Sequence, residues 1–189
     1  GQTMNPSTED MLNAIEHVNA KTVFILPNNK NIIMAANQAV DLVEDKQIIV
    51  IPTKTIPQGI TALVNYIPDH SAEENKEQMM AEIENVKTGQ VTYAVRDTSS
   101  DGIDISEGDI IGISEGKIMT CTKSVEEAVV KLLEGIVDMD DIITLYYGED
   151  VTREAAESLK EKLEEIYDDM DVELHRGGQP LYYYILSVE

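Results

Sequence analysis

The chain has 189 residues, 42% of them hydrophobic, with eight Tyr, one Phe and no Trp, so its core must be built mainly from Ile, Val, Leu, Met and Ala. A formal net charge of −22 argues against nucleic acid and anionic lipid surfaces as partners, because such a surface repels phosphate. A single cysteine, Cys121, excludes an internal disulfide and fits a reducing cytosol, and no apolar run is long enough to span a bilayer.

The opening residues Gly1-Gln2-Thr3-Met4-Asn5-Pro6 are polar and turn-like, and read as the middle of a longer protein. Asn5-Pro6-Ser7-Thr8-Glu9-Asp10 then supplies cap oxygens, a proline suited to a first turn, and acids that favour the positive end of a helix. Met11, Leu12, Ile15 and Val18 follow at helical spacing. Thr22 to Leu26 is a short apolar run of the kind that forms a strand covered on both faces. It ends at the polar loop Pro27-Asn28-Asn29-Lys30-Asn31, after which the pattern predicts a helix from about Ile32 to Val43. A second buried strand, Gln47 to Ile51, leads into a second polar loop, Pro52-Thr53-Lys54-Thr55-Ile56-Pro57-Gln58-Gly59. A short helix over Ile60–Tyr66, a polar helix over Ala72–Lys87 and an alternating strand over Gln90–Val95 complete an α-β-α-β-α-α-β order. That alternation implies an α/β lobe, residues 1–96, with a parallel-rich sheet flanked by helices.

The turn residues Asp97-Thr98-Ser99-Ser100-Asp101-Gly102 open a smaller mixed α/β second lobe, residues 97–189. Gly108–Ile113 and Gly116–Cys121 read as antiparallel strands around a turn at Glu115-Gly116. Ser124, with Glu127 three residues on, starts a helix. Ile142–Tyr147 is a strand, Thr152 to about Tyr167 an acidic amphipathic helix, and Val172–His175 and Leu181–Val188 are closing strands around Gly177-Gly178-Gln179-Pro180. The strand-helix-strand unit at 142–175 loosely echoes the one at 22–51. Charge is uneven, since residues 1–96 carry 12 acids and 7 bases while residues 97–189 carry 24 acids and 7 bases. The acidic second lobe either complements a basic protein partner or only keeps the protein soluble.

No complete catalytic, metal or phosphate-loop motif is present. His17, His70 and His175 stand apart from one another, and Cys121 in its apolar stretch reads as a structural thiol. The distinctive polar residues cluster where strands end, which is where open α/β sheets bind ligands and partners. They are Asn28, Asn29, Lys30 and Asn31 after the first strand, and Thr53, Lys54, Thr55 and Gln58 after the second. Two readings stand beside each other: a hydrogen-bonding surface for a partner, or caps that satisfy helix N-termini. The Gly178-Gln179 turn divides in the same way, between a tight strand connection and a point of close backbone approach.

Taken together, Gly1–Asp10, Pro27–Ile32, Pro52–Gly59 and the ending Gly177-Gly178-Gln179-Pro180-Leu181-Tyr182 through Val188-Glu189 resemble, in order, the C-terminal region of the FakA family. These are the ATP-binding, dihydroxyacetone-kinase-like subunits of bacterial fatty acid kinases. The resemblance implies a two-lobed DegV-like (EDD-type) fold, similar to that of the FakB proteins that carry the fatty acid. It implies a full protein with an N-terminal ATP-binding domain and a middle domain carrying metal ligands and the phosphotransfer residues. Together with FakB that protein would make acyl-phosphate for phospholipid synthesis. For the present residues it implies a cytoplasmic, non-catalytic domain that docks FakB and meets the N-terminal domains of its own chain, with a homodimer left open. No cofactor is expected here, ATP and metal belonging to the other domains. The alternative is a DegV-like lipid-binding module with its own pocket, for which Thr98, Ser99 and Ser100 could hold a carboxylate.

Overall fold

The protein is described by a computed structural model covering residues 5–189, so the Gly1–Met4 part of the first family motif lies outside the described residues. The chain divides into two compact units, ending and beginning at Val86 and Lys87.

The first unit begins with helix α1 (Thr8–His17), where Ser7 and Asp10 form a reciprocal capping box. Strands β1 (Thr22–Ile25) and β2 (Gln47–Val50) pair in parallel, with Val23 opposite Ile48 and Phe24 opposite Ile49. Helix α2 (Lys30–Leu42) makes the crossover between them. The continuous apolar strands are covered on both faces, as their sequences require. Val23 and Ile48 pack with Met11, Ile15, Ile32, Ala36 and Ala39 of α1 and α2. Their neighbours Phe24, Ile49 and Ile51 turn the other way, toward Ala62 of helix α3 (Ile56–Val64) and Met79 and Ile83 of helix α4 (Ala72–Ile83).

The second unit is organised around a six-stranded sheet. Its strands are β3 (Lys87–Tyr93), β6 (Ile110–Ser114), β7 (Lys117–Thr122), β8 (Ile142–Tyr147), β9 (Asp171–Arg176) and β10 (Tyr184–Val188), in the order β7-β6-β3-β10-β8-β9. All neighbours are antiparallel except β8 and β9, which pair in parallel through the crossover helix α6 (Arg153–Ile166). The echo of 22–51 in 142–175 is therefore a shared parallel β-α-β geometry. Leu132 and Leu133 of helix α5 (Val125–Ile136), Leu159 and Leu163 of α6, and Ile143, Leu145 and Leu186 of the sheet form the fully buried core. A small hairpin of β4 (Thr98–Ser100) and β5 (Ile103–Ile105) turns at Asp101-Gly102, both at positive φ. Glu115-Gly116 adopts the same pair of positive φ values between β6 and β7, as a two-residue hairpin turn demands.

Two sequence expectations are corrected. The boundary falls at 86/87 and not 96/97, and the second unit is the larger one, because β3 finds its hydrogen-bonding partners in β10 and β6 and has none in β1 or β2. Helices α2 and α3 begin at Lys30 and Ile56, where Ile32 and Ile60 were expected. Asn29 and Thr55 close the first turns with their side chains, so much of what reads as polar loop is the first turn of a helix.

Candidate docking site

The two polar loops of the first unit, 25 residues apart in sequence, meet in space. The Asn28 amide donates to Thr53 Oγ1 at 2.9 Å. Thr53 is completely buried, and its own amide closes a tight turn by donating to the Ile51 carbonyl at 2.6 Å. Asn28 sits at φ 57°, a left-handed conformation that asparagine tolerates better than most residues. Its side chain occupies the space beside Gly59, where an added Cβ would lie 2.1 Å from Asn28 Oδ1. That oxygen is buried without a hydrogen-bond partner.

The remaining predicted residues divide between capping and display. Asn29 is the N-cap of α2, its Oδ1 accepting from the Asn31 amide at 2.9 Å. Thr55 is the N-cap of α3, its Oγ1 accepting from the Gln58 amide at 3.2 Å. Gln58 answers through Oε1, which accepts from the Lys54 amide at 2.7 Å, and its Nε2 donates to the Ile83 carbonyl at the end of α4. Two polar side chains thus fix the start of α3 from both sides. Lys30, Asn31 and Lys54 are exposed, and neither lysine is paired with an acid among the described residues. The site consequently presents two helix N-termini, each with a free ammonium beside it, at the carboxyl ends of two parallel strands.

The Gly178-Gln179 turn belongs to the second unit and holds the equivalent position at the carboxyl ends of β8 and β9. Gln179 is turned inward, its Nε2 donating to the carbonyls of Tyr146 (2.9 Å) and Tyr182 (3.2 Å). The amides of Gly177 and Gly178 both donate to the Tyr147 carbonyl, and Gly178 takes φ 67°. Gly148 comes so close that a Cβ there would lie 2.3 Å from the Tyr182 carbonyl oxygen. This geometry matches the tight-connection reading, with the Gln179 amide spent internally. Thr98 and Ser99 are exposed, but they belong to strand β4 and not to the turn that the sequence pattern predicts at 97–102, which is confined to Asp101-Gly102.

Elsewhere the second unit holds closely knit polar groups, one around Lys87 and Asp140 and one around Asp109. Asp109 is buried and pairs with Lys123, while also accepting from the Ser106 amide (2.9 Å) and from Cys121 Sγ (3.4 Å). The Lys123 ammonium, with the Ser106 amide, holds the Asp109 carboxyl below the usual aspartate range, and Lys123 is raised in return. Burial, reinforced by the Asp109 carboxylate, pushes the Cys121 thiol up, which disfavours the thiolate. Among the described residues no group of three or more His, Cys, Asp or Glu side chains converges as a metal site would require.

The sequence reading overlooked the outward face of α3. Ile56, Ile60, Leu63 and Val64 are all exposed, while Pro57, Gly59, Thr61 and Ala62 face inward. The signal was available as the spacing i, i+4, i+7, i+8 in a segment without a single charge.

The two-unit α/β fold is of the DegV type. The fold is similar to a DegV family protein of Corynebacterium glutamicum (TM-score 0.70, 14% identity, covering 97% of this chain and 82% of that one). It is also similar to the Streptococcus pneumoniae fatty acid kinase B3 protein loaded with linoleic acid (TM-score 0.68, 16% identity, covering 97% and 76%). In sequence the chain belongs to the FakA-like C-terminal family of the fatty acid kinases, whose model matches residues 1–189. It is 54% identical to the protein YloV of Bacillus subtilis and 47% identical to an uncharacterised protein of Staphylococcus aureus strain MRSA252, along its whole length in each case. It spans only 34% of the length of these relatives. Among the described residues no helix is long and apolar enough to cross a membrane.

Proposed function

We propose that this domain is the non-catalytic docking piece of a fatty acid kinase, and that through it the ATP-binding subunit holds the fatty-acid-carrying one. Supporting this reading is one conjunction: a sequence of the FakA type is folded like the fatty-acid carriers themselves. Its distinctive polar residues are built into helix starts, where Asn29, Thr55 and Gln58 hold backbone groups. In this reading ATP, metal and phosphotransfer residues lie in the remaining parts of the longer chain, and the protein works in the cytoplasm.

The test uses the full-length protein and a version lacking this domain. Isothermal titration with the cognate fatty-acid-carrying subunit should show binding only by the full-length protein, while both versions bind ATP. Equal binding by the truncated version would refute the proposal. Native mass spectrometry on the same samples addresses the lipid-module alternative, in which an acyl chain would co-purify with the full-length protein and be lost on removal of the domain.

A further inference from the structure

We infer that the outward face of α3, continued by Lys54 and Lys30, is the docking face, and that its occupant is a protein subunit presenting an apolar surface edged with carboxylates. This rests on the docking function proposed above and assigns it a place.

Helix α3 is inside out. At about 100° per residue, Ile56, Ile60, Leu63 and Val64 fall within a single arc roughly 100° wide. All four are exposed, Leu63 by 63% and Val64 by 73%. The opposite arc packs with Pro57, Gly59, Thr61 and Ala62, so the small residues are buried and the large aliphatic ones are outside. A surface helix whose only role was to cover the sheet would show the reverse arrangement. Contiguous exposed apolar side chains of this kind mark interaction surfaces.

Charge selects the occupant. Residues 22–40 and 47–67, which build β1, β2, α3, most of α2 and the loops that follow β1 and β2, contain two charged side chains, Lys30 and Lys54. The chain as a whole carries −22. These segments are locally neutral to positive on a strongly acidic protein, with the acids of the neighbouring α4 lying outside them, and their two lysines complement carboxylates on a partner. A second copy meeting through the same face would set lysines against lysines. The stripe alone also offers on the order of half of the ~800 Å² that each partner gives up in a standard interface. The remainder must come from its surroundings, and Lys54 leads directly into α3 while Asn28 and Thr53 tie the α2 start beside it. The acidic face of α6 is then a solvating surface and takes no part in docking.

The experiment titrates the full-length protein with the cognate fatty-acid-carrying subunit. The variant Leu63→Gln/Val64→Gln removes two exposed aliphatic side chains and keeps good helix formers, so its melting temperature should match the parent. It should weaken binding at least tenfold. Lys54→Glu should weaken binding severalfold, and Glu157→Gln/Glu161→Gln on α6 should leave it within twofold. Unchanged binding by the α3 variant, or loss confined to the α6 variant, overturns this inference while leaving the docking function standing. Sedimentation showing a dimer of the wild type that the α3 variant dissociates, with subunit binding unaffected, assigns the face to self-association and also overturns it. No binding by the wild type removes both proposals together.

Discussion

Gly59→Ala isolates the contact that welds the two polar loops into one site. Alanine in a helix is favoured over glycine by about 0.8–1 kcal/mol, so by propensity alone the change should stabilise α3. Here the new Cβ would lie 2.1 Å from Asn28 Oδ1 and 2.7 Å from its Cγ, well inside any permitted contact. The Asn28 backbone is held at φ 57° by the 2.9 Å bond from its amide to buried Thr53, so relief must come from rotating the Asn28 side chain out of its buried place. Overpacking of this kind costs about 1–3 kcal/mol, leaving a net loss of up to about 2 kcal/mol. Asn28→Gly removes the obstructing side chain and suits the positive φ, so it should be close to neutral by itself. In that background Gly59→Ala should become stabilising by about 1 kcal/mol, and the double-mutant cycle should return a coupling of about 1–3 kcal/mol. Urea denaturation of the four proteins, followed by hydrogen exchange in peptides spanning residues 22–67, provides the assay. Gly59→Ala alone should lower the midpoint by up to about 1 M. An equal effect of Gly59→Ala in both backgrounds would refute the contact as the reason glycine is needed at 59.

Thr53→Val leaves the part-buried Asn28 amide without its acceptor and should cost about 1–3 kcal/mol in the same assay. Asn29→Ala should lose about 0.5–2 kcal/mol of stability while Asn29→Asp retains it, and Lys54→Ala should leave melting unchanged and weaken subunit binding, which separates capping from display. The Asp109–Lys123 pair predicts a pH dependence with a definite sign. Asp109 is depressed in the folded protein, so its contribution is present above its unfolded value and is lost as pH falls through the folded one, from about pH 4 downward. Lys123 is raised, so the matching loss at the alkaline end comes only as pH rises through its folded value above the ordinary lysine range. Urea midpoints measured from about pH 6 down to about pH 2 should therefore fall less steeply for Asp109→Asn than for the parent, and parallel curves would count against the pair.

The elements that were legible in the sequence are those whose periodicity is forced by burial. Thr22–Leu26 and Gln47–Ile51 read as doubly covered strands because alternate residues serve opposite cores, Val23 and Ile48 on one side and Phe24 and Ile49 on the other. Glu115-Gly116 read as a hairpin turn because few residue pairs accept two positive φ values. The boundary was not legible, since β3 alternates in the same way whether its neighbours are β1 and β2 or, as found, β6 and β10. Strand pairing is a long-range choice that no local pattern encodes. The helix starts at Lys30 and Ile56 were hidden for a different reason, in that Asn and Thr serve turns and caps with the same oxygen.

That double use also decides where docking energy can come from. Asn29 Oδ1, Thr55 Oγ1 and both ends of the Gln58 amide already hold backbone groups, and a partner that recruited them would leave those groups unsatisfied. What remains uncommitted at this end of the first unit is Asn31, two ammonium groups and the aliphatic stripe of α3. The ammonium groups are long, solvated and individually weak, so they can orient a partner and select its charge but cannot hold it. Burial of the stripe is the one large favourable term available there, at about 25 cal/mol per Å² removed from water. Affinity should therefore depend mainly on Leu63 and Val64 and respond only weakly to salt. A steep loss of binding as salt is raised from low to physiological strength would instead move the interface to the acidic helix of the second unit.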